Sequence, residues 1–217
     1  MGNLFNYDNK VMQVLGKLVD CFYISILWII FCIPIVTAGA STTAMYYTVH
    51  KVLRGSRSYV WRSFWDGFKS NFKQSTILWL ICILVAGILG FDTYIMRQVL
   101  ASGDKIGALY YVFLMMILFL ILWACYLFTY TARFENTTKQ IMKNCAMIAI
   151  ANLPKTVLIA VLLVVGLLIT YLIPVLIMLT PALLTWILNG ILESVFRKYM
   201  SAEDLEREKE LDMEAKR

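Results

Sequence analysis

The chain has 217 residues, of which 60% are hydrophobic and 16% charged, and its formal net charge is +6. A mean hydropathy of +0.72 lies far above the range of soluble globular domains, which excludes that class. The Lys and Arg residues lie between apolar stretches, where the positive-inside rule expects them in a membrane protein. We therefore expect a lipid bilayer as partner and no nucleic acid.

Four stretches without a charged side chain predict the membrane-spanning part: 21–49, 74–91, 106–132 and 156–192. As one helix the last would be about 55 Å long, nearly twice the roughly 30 Å hydrocarbon core of a bilayer. Pro174 and Pro181 interrupt it, so two spans are predicted there. The fold class is all-α: a polytopic transmembrane helix bundle of five or six spans with amphipathic juxtamembrane helices. A single transmembrane domain, 1–200, precedes a charged cytoplasmic helical tail, 201–217.

The first spans are predicted at about 18–36 and 38–53, after an amphipathic lead-in over residues 4–17. A signal peptide is the alternative for this region, but the acidic Asp8 and Asp20 favour a retained helix. The second segment would be about 24 Å long as a helix, short for a span, so five and six spans both stay open. Its small residues, beginning with Gly39 and Thr43, permit close helix approach.

An aromatic stripe follows over residues 59–73. Five aromatic residues recur at helical spacing, and three basic residues accompany them: Trp61, Phe64, Trp65, Phe68 and Phe72, with Arg62, Lys69 and Lys73. Aromatic side chains on one face beside Lys and Arg are typical of a helix in the lipid headgroup layer. The alternative is a helix that docks a partner protein, and the two interpretations are compatible.

Further along, a span at 74–91 carries Gly87 and Gly90 as predicted packing sites, and an outer loop at 92–105 leads to a span at 106–132. Residues 133–155 are basic and contain a second amphipathic juxtamembrane helix. Spans at 156–173 and 175–192 complete the domain. Ile33-Pro34 and Ile173-Pro174 each precede a bend and a helix that ends at basic residues, which favours a hairpin of 18–36 with 38–53. Six spans then place both termini inside.

No catalytic residue, cofactor or metal site is expected. Lone His50 and Glu193 lie at segment ends, where residues that reach the membrane surface are ordinary, and the five cysteines contain no CxxC pair. Uncharged polar residues form a candidate solute path: Ser41, Thr42, Tyr46, Tyr47 and Asn189. Hydroxyls, amides and aromatic rings suit sugar recognition, but hydrogen bonds between helices are the favoured explanation.

Several stretches resemble the YesL family of bacterial membrane proteins, whose molecular function is unknown. They are Leu4-Phe5-Asn6-Tyr7-Asp8-Asn9, Ile33-Pro34-Ile35-Val36-Thr37-Ala38-Gly39, Tyr46-Tyr47, Leu53-Arg54-Gly55, Phe68-Lys69-Ser70-Asn71-Phe72-Lys73-Gln74 and Asn152-Leu153-Pro154-Lys155-Thr156. Ala40 departs from the family pattern, which has proline after the glycine. The resemblance implies a multi-pass protein of the bacterial cytoplasmic (plasma) membrane whose gene lies near those of carbohydrate-uptake transporters.

From that association we expect a non-enzymatic accessory or regulatory component of carbohydrate uptake, with a carbohydrate transporter or sensor protein as partner. The alternative is a transporter or permease for a sugar-like solute in its own right. Self-association into a homo-oligomer is left open. No catalytic or binding residue is carried over from the family.

Overall fold

The computed structural model describes residues 10–54 and 59–200, and of the tail only 205, 206, 210 and 213. In these residues it shows seven α-helices and no strand: α1 (Lys10–Cys32), α2 (Ala38–Thr48), α3 (Val60–Ala101), α4 (Leu109–Thr131), α5 (Thr138–Ala151), α6 (Leu153–Leu172) and α7 (Thr180–Phe196). A π-helical turn, Val49–Arg54, extends α2. The all-α prediction is confirmed. Most of the predicted lead-in and tail lie outside the described residues.

Four of the helical segments are long and apolar enough to cross a membrane: Met12–Cys32, Val60–Ala101, Lys105–Thr131 and Leu153–Leu172. Helix α7 is apolar but has only 17 residues, and α2 has 11. Helix α6 exposes apolar side chains on several sides, such as Leu167 and Ile169. A surface of that kind is consistent with lipid as its solvent. Whether α2 and α7 also cross stays a prediction.

Both predicted proline bends are present. The 3₁₀ turns Ile35–Thr37 and Pro174–Met178 each separate a long helix from a shorter one. Proline favours such a position because it lacks the N–H that a continuing helix would need. Helix α1 packs against α2 and α6 packs against α7, which confirms the predicted pairing of the first two segments.

The region from 59 to 105 differs from its prediction. The expected surface helix, span and outer loop form one continuous α-helix, α3, of 42 residues, about 63 Å long. The change from an amphipathic to a uniformly apolar pattern near residue 74 marks a change of surroundings, and no proline there stops the helix. Helix α3 ends before Gly103, whose φ of +86° is the left-handed conformation typical after a helix C-terminus.

Helix α2 lies at the centre of the bundle and is almost wholly buried. Its small residues bring it close to α3, because a Cβ added to Gly39 would lie 2.5 Å from Cβ of Trp79. The Thr43 and Ser75 hydroxyls are 2.9 Å apart across the same contact. The prediction that these small residues permit a close helix contact is therefore confirmed. The prediction for Gly87 and Gly90 is wrong, since nothing lies within 4 Å of a Cβ added to either.

Candidate functional site: a buried charge cluster and an adjoining cavity

One end of the bundle collects most of the described basic residues, and we call it the basic end. It contains the ends of α2, α4 and α7, the start of α3, and α5. Interhelical contacts hold these elements together: Gln74 Nε2 donates to the Asn136 carbonyl at 2.6 Å, and Lys155 Nζ donates to the Ser194 hydroxyl at 2.7 Å. Arg97 and Lys105 lie beyond the apolar part of α3, at the opposite end.

At the basic end, Glu193 of α7 is fully buried, although α7 is otherwise apolar around it. Arg133, just after α4, contacts its carboxylate with two nitrogens: Nε lies 2.9 Å from Oε1 and Nη2 donates to Oε2 at 3.0 Å. The Tyr46 hydroxyl of α2 donates to Oε1 at 3.1 Å. A buried carboxylate needs such partners, since an unpaired charge in an apolar interior is strongly unfavourable.

His50 and Asn189 extend this group. His50 Nδ1 lies 3.4 Å from Glu193 Oε1 and also 3.4 Å from Asn189 Nδ2. The carboxylate favours a proton on Nδ1, whereas the Asn189 N–H₂ group favours an unprotonated Nδ1, so the two neighbours act in opposite directions. Arg54 Nη1 donates to the side-chain oxygen of Asn189 at 3.0 Å and to its backbone carbonyl at 3.3 Å. We call Tyr46, His50, Arg54, Arg133, Asn189 and Glu193 the charge cluster.

The charge cluster joins three parts of the chain that are far apart in sequence: α2 with its π-helical turn, the end of α4, and α7. Charge-assisted, two-pronged Arg–carboxylate contacts fix relative orientation as well as distance. Among the described residues no three His, Cys, Asp or Glu side chains lie close enough to hold a metal ion.

A cavity of about 420 Å³ adjoins the charge cluster. It lies between α2, α4, α6 and α7, and Tyr46 and Leu192 form its wall next to Glu193. From there it extends along α7 to Thr180 and Pro181 at the opposite end. Its volume is within the range of roughly 300–1,000 Å³ that ligand-binding pockets occupy.

The five residues of the predicted solute path lie in different places. Thr42 and Tyr46 line the cavity. Ser41 is buried between α1 and α2, where its hydroxyl donates to the Trp28 carbonyl at 3.1 Å. Tyr47 packs against Gly67 of α3, and Asn189 belongs to the charge cluster. The structure therefore does not join the five into one path.

The aromatic stripe divides into buried and exposed parts. Phe64 and Phe68 are buried, with their rings 5.4 and 4.9 Å from that of Phe31 in α1. Trp61 is 50% exposed and stacks on Trp65 at 6.1 Å, and Lys69 lies over Trp65 at 5.0 Å. The remaining members, Phe72, Arg62 and Lys73, are exposed. We call Trp61, Trp65 and Lys69 the tryptophan face.

Sequence reasoning missed Arg133 and interpreted His50 and Glu193 as residues at the membrane surface. One signal was present: Val195 and Phe196 continue the apolar pattern beyond Glu193, and both are fully buried. A carboxylate flanked on both sides by core positions of a helix lies inside the protein and needs a partner. The sequence does not show which residue pairs with Glu193, because Arg133 is 60 residues away.

Part of the chain matches a known protein family. A family described as "Protein of unknown function, DUF624" matches residues 21–93. This third of the chain covers the second half of α1, all of α2 and the larger part of α3, so it contains Tyr46 and His50 but not Arg133 or Glu193. Comparison with curated proteins and with solved structures finds no match. The similarity to this family therefore concerns the N-terminal part of the bundle.

Proposed function

We propose that the protein is a non-enzymatic integral membrane protein that acts through contact with another protein, as an accessory or regulatory component of carbohydrate uptake. The role in uptake rests on the resemblance to the YesL family. The contact rests on the tryptophan face, which is the observation that carries the proposal.

The tryptophan face has the chemistry of a binding surface. Its two indole rings are nearly parallel, with an interplanar angle of 6°, and Lys69 holds a charge above the second ring. Tryptophan buries a large area and is enriched among residues that dominate interface energies. Trp65 also lies against Phe31 of α1, with ring centroids 6.0 Å apart, so the bundle supports the face from behind. A partner would therefore bind to a preorganised surface.

The orientation of the bundle supports a partner on the cytoplasmic side. The basic end holds Lys51, Arg54, Arg62, Lys69, Lys73, Arg133, Lys139, Lys143, Lys155, Arg197 and Lys198. By the positive-inside rule this end faces the cytoplasm of a bacterial plasma membrane. The tryptophan face then lies at the inner surface, within reach of the cytoplasmic part of a transporter or sensor protein.

The test is affinity purification from native membranes in a mild detergent, with co-purified proteins identified by mass spectrometry. We expect the wild type to recover a sugar transporter or sensor protein, and Trp61→Ala to lose it while α3 stays folded. The matched control is Phe91→Ala, because Phe91 is 65% exposed on the same helix, near the other end. Equal recovery by all three proteins would contradict the proposal.

A permease for a sugar-like solute is the second candidate, and the observation in its favour is the cavity, although the lining of this cavity is mostly apolar. Two residues of the predicted path, Thr42 and Tyr46, line it. Uptake of labelled sugars into vesicles that contain only this protein would decide for the permease, and the absence of uptake would decide against it.

A further inference from the structure

The cavity is elongated. Its wall includes α7 residues from Thr180 to Leu192, a rise of about 18 Å along the helix. An elongated shape suits a single linear chain lying parallel to the helices.

The lining offers little to a polar ligand. Five threonines face the cavity, and each donates its hydroxyl to the backbone carbonyl four residues earlier: Thr42, Thr129, Thr170, Thr180 and Thr185, at 2.7–2.9 Å. Their protons are therefore not free for a sugar. The other lining residues are mostly apolar, for example Leu163, Leu184 and Leu188. A hydroxyl-rich solute would lose hydrogen bonds with water on entry and gain few in return.

The cavity opens to the outside of the bundle between α4 and α6. Three of its lining residues are also strongly exposed at the surface: Ile121 of α4 at 51%, Leu167 of α6 at 70%, and Ile177 at 47%. Ile121 and Leu167 lie inside two of the segments that are long and apolar enough to cross a membrane. In a bilayer this opening faces hydrocarbon and not water.

We propose that the cavity is a binding site for one hydrocarbon chain of a membrane phospholipid, which enters sideways between α4 and α6. The inference depends on the membrane location of these helices but not on the proposed role in carbohydrate uptake. The chain would fill an apolar cavity in which water finds few hydrogen-bond partners. The inner end of the chain would touch Tyr46 beside the charge cluster. The site is thus a lipid site built into the centre of the bundle.

The test uses the intact protein in nanodiscs that contain phosphatidylglycerol with a diazirine at the end of one acyl chain. After illumination, labelled positions are mapped by mass spectrometry. We expect adducts on cavity residues such as Cys125 and Leu184, in addition to outward residues such as Met116. Adducts on outward residues alone would overturn the proposal. A parallel sample receives the same photoactive chain as a free fatty acid, and cavity adducts in that sample alone would overturn the assignment to a phospholipid.

A matched pair of variants gives a second measurement. Cys125→Trp fills the cavity from α4, and Met116→Trp places the same ring on the opposite face of that helix, where Met116 is 47% exposed. We expect Cys125→Trp to lose the cavity adducts and Met116→Trp to retain them. A folded Cys125→Trp protein with unchanged cavity adducts would contradict the site. The wild-type adduct map decides the question independently if that variant does not fold.

Discussion

The charge cluster makes a quantitative prediction for Glu193→Gln. The substitution keeps the shape of the side chain but removes its charge and turns one oxygen into an N–H₂ donor. Arg133 Nη2 donates to Oε2 at 3.0 Å and Nε lies 2.9 Å from Oε1, so either orientation of the amide points a donor at a guanidinium nitrogen. The variant therefore loses a charge-assisted hydrogen bond and leaves Arg133 without its counter-charge.

Removal of one partner from a buried ion pair costs about 3–5 kcal/mol. Arg133 retains 15% side-chain exposure, which lets water reach the guanidinium and favours the lower limit, about 3 kcal/mol. For a chain of this size each kcal/mol lowers the unfolding midpoint by about 2–4 °C, so we expect a decrease of about 6–12 °C. The assay is heat treatment of the detergent-solubilised protein, followed by measurement of the fraction that remains folded by size-exclusion chromatography.

Glu135→Gln is the control, because Glu135 is an exposed glutamate two residues from Arg133. Its midpoint should change by the equivalent of no more than about 0.5 kcal/mol. The double variant Glu193→Gln/Arg133→Gln should lose less stability than the two single variants together, since the residues are in direct contact. A Glu193→Gln midpoint equal to that of Glu135→Gln, or strict additivity in the double variant, would refute the reasoning.

Three further predictions follow from the packing. Gly39→Val should cost about 1–3 kcal/mol, because its Cβ would overlap Trp79, whereas Gly87→Ala, in open space, should be neutral or stabilise by up to about 1 kcal/mol; equal midpoints would contradict the close approach of α2 and α3. Phe64→Ala removes a fully buried ring and should cost about 3–5 kcal/mol, while the half-exposed Trp61→Ala costs much less; comparable heat stability of the two variants would contradict this division. Burial raises the pKa of the Cys145 thiol in α5, so the thiol stays protonated at pH 8. In a variant whose other cysteines are alanine, it should react slowly with a maleimide until the protein is unfolded. Rapid labelling of the folded variant would show that α5 does not dock as described.

Local sequence patterns predicted much of the fold. The bends after Pro34 and near Pro174 were predicted because proline cannot continue a helix hydrogen-bond ladder. The amphipathic helix within 133–155 was predicted because its apolar residues recur at the helical period, and the structure places it at Thr138–Ala151 with Ile141 and Cys145 buried. The continuity of α3 was not predicted, because hydropathy reports what surrounds a helix and does not report where the helix stops.

By itself, the sequence determined that this chain builds apolar helices separated by proline bends, with its basic residues gathered in a few connecting segments. These properties follow from composition and from interactions over a few residues. Only the tertiary structure decided that Tyr46 meets Glu193 across 147 residues and that Arg133 joins them. Likewise it alone showed that Phe64 is core and that a cavity remains between α4 and α6. Such pairings depend on how whole helices pack, and a lone acidic residue in the sequence carries no record of the charge that will face it.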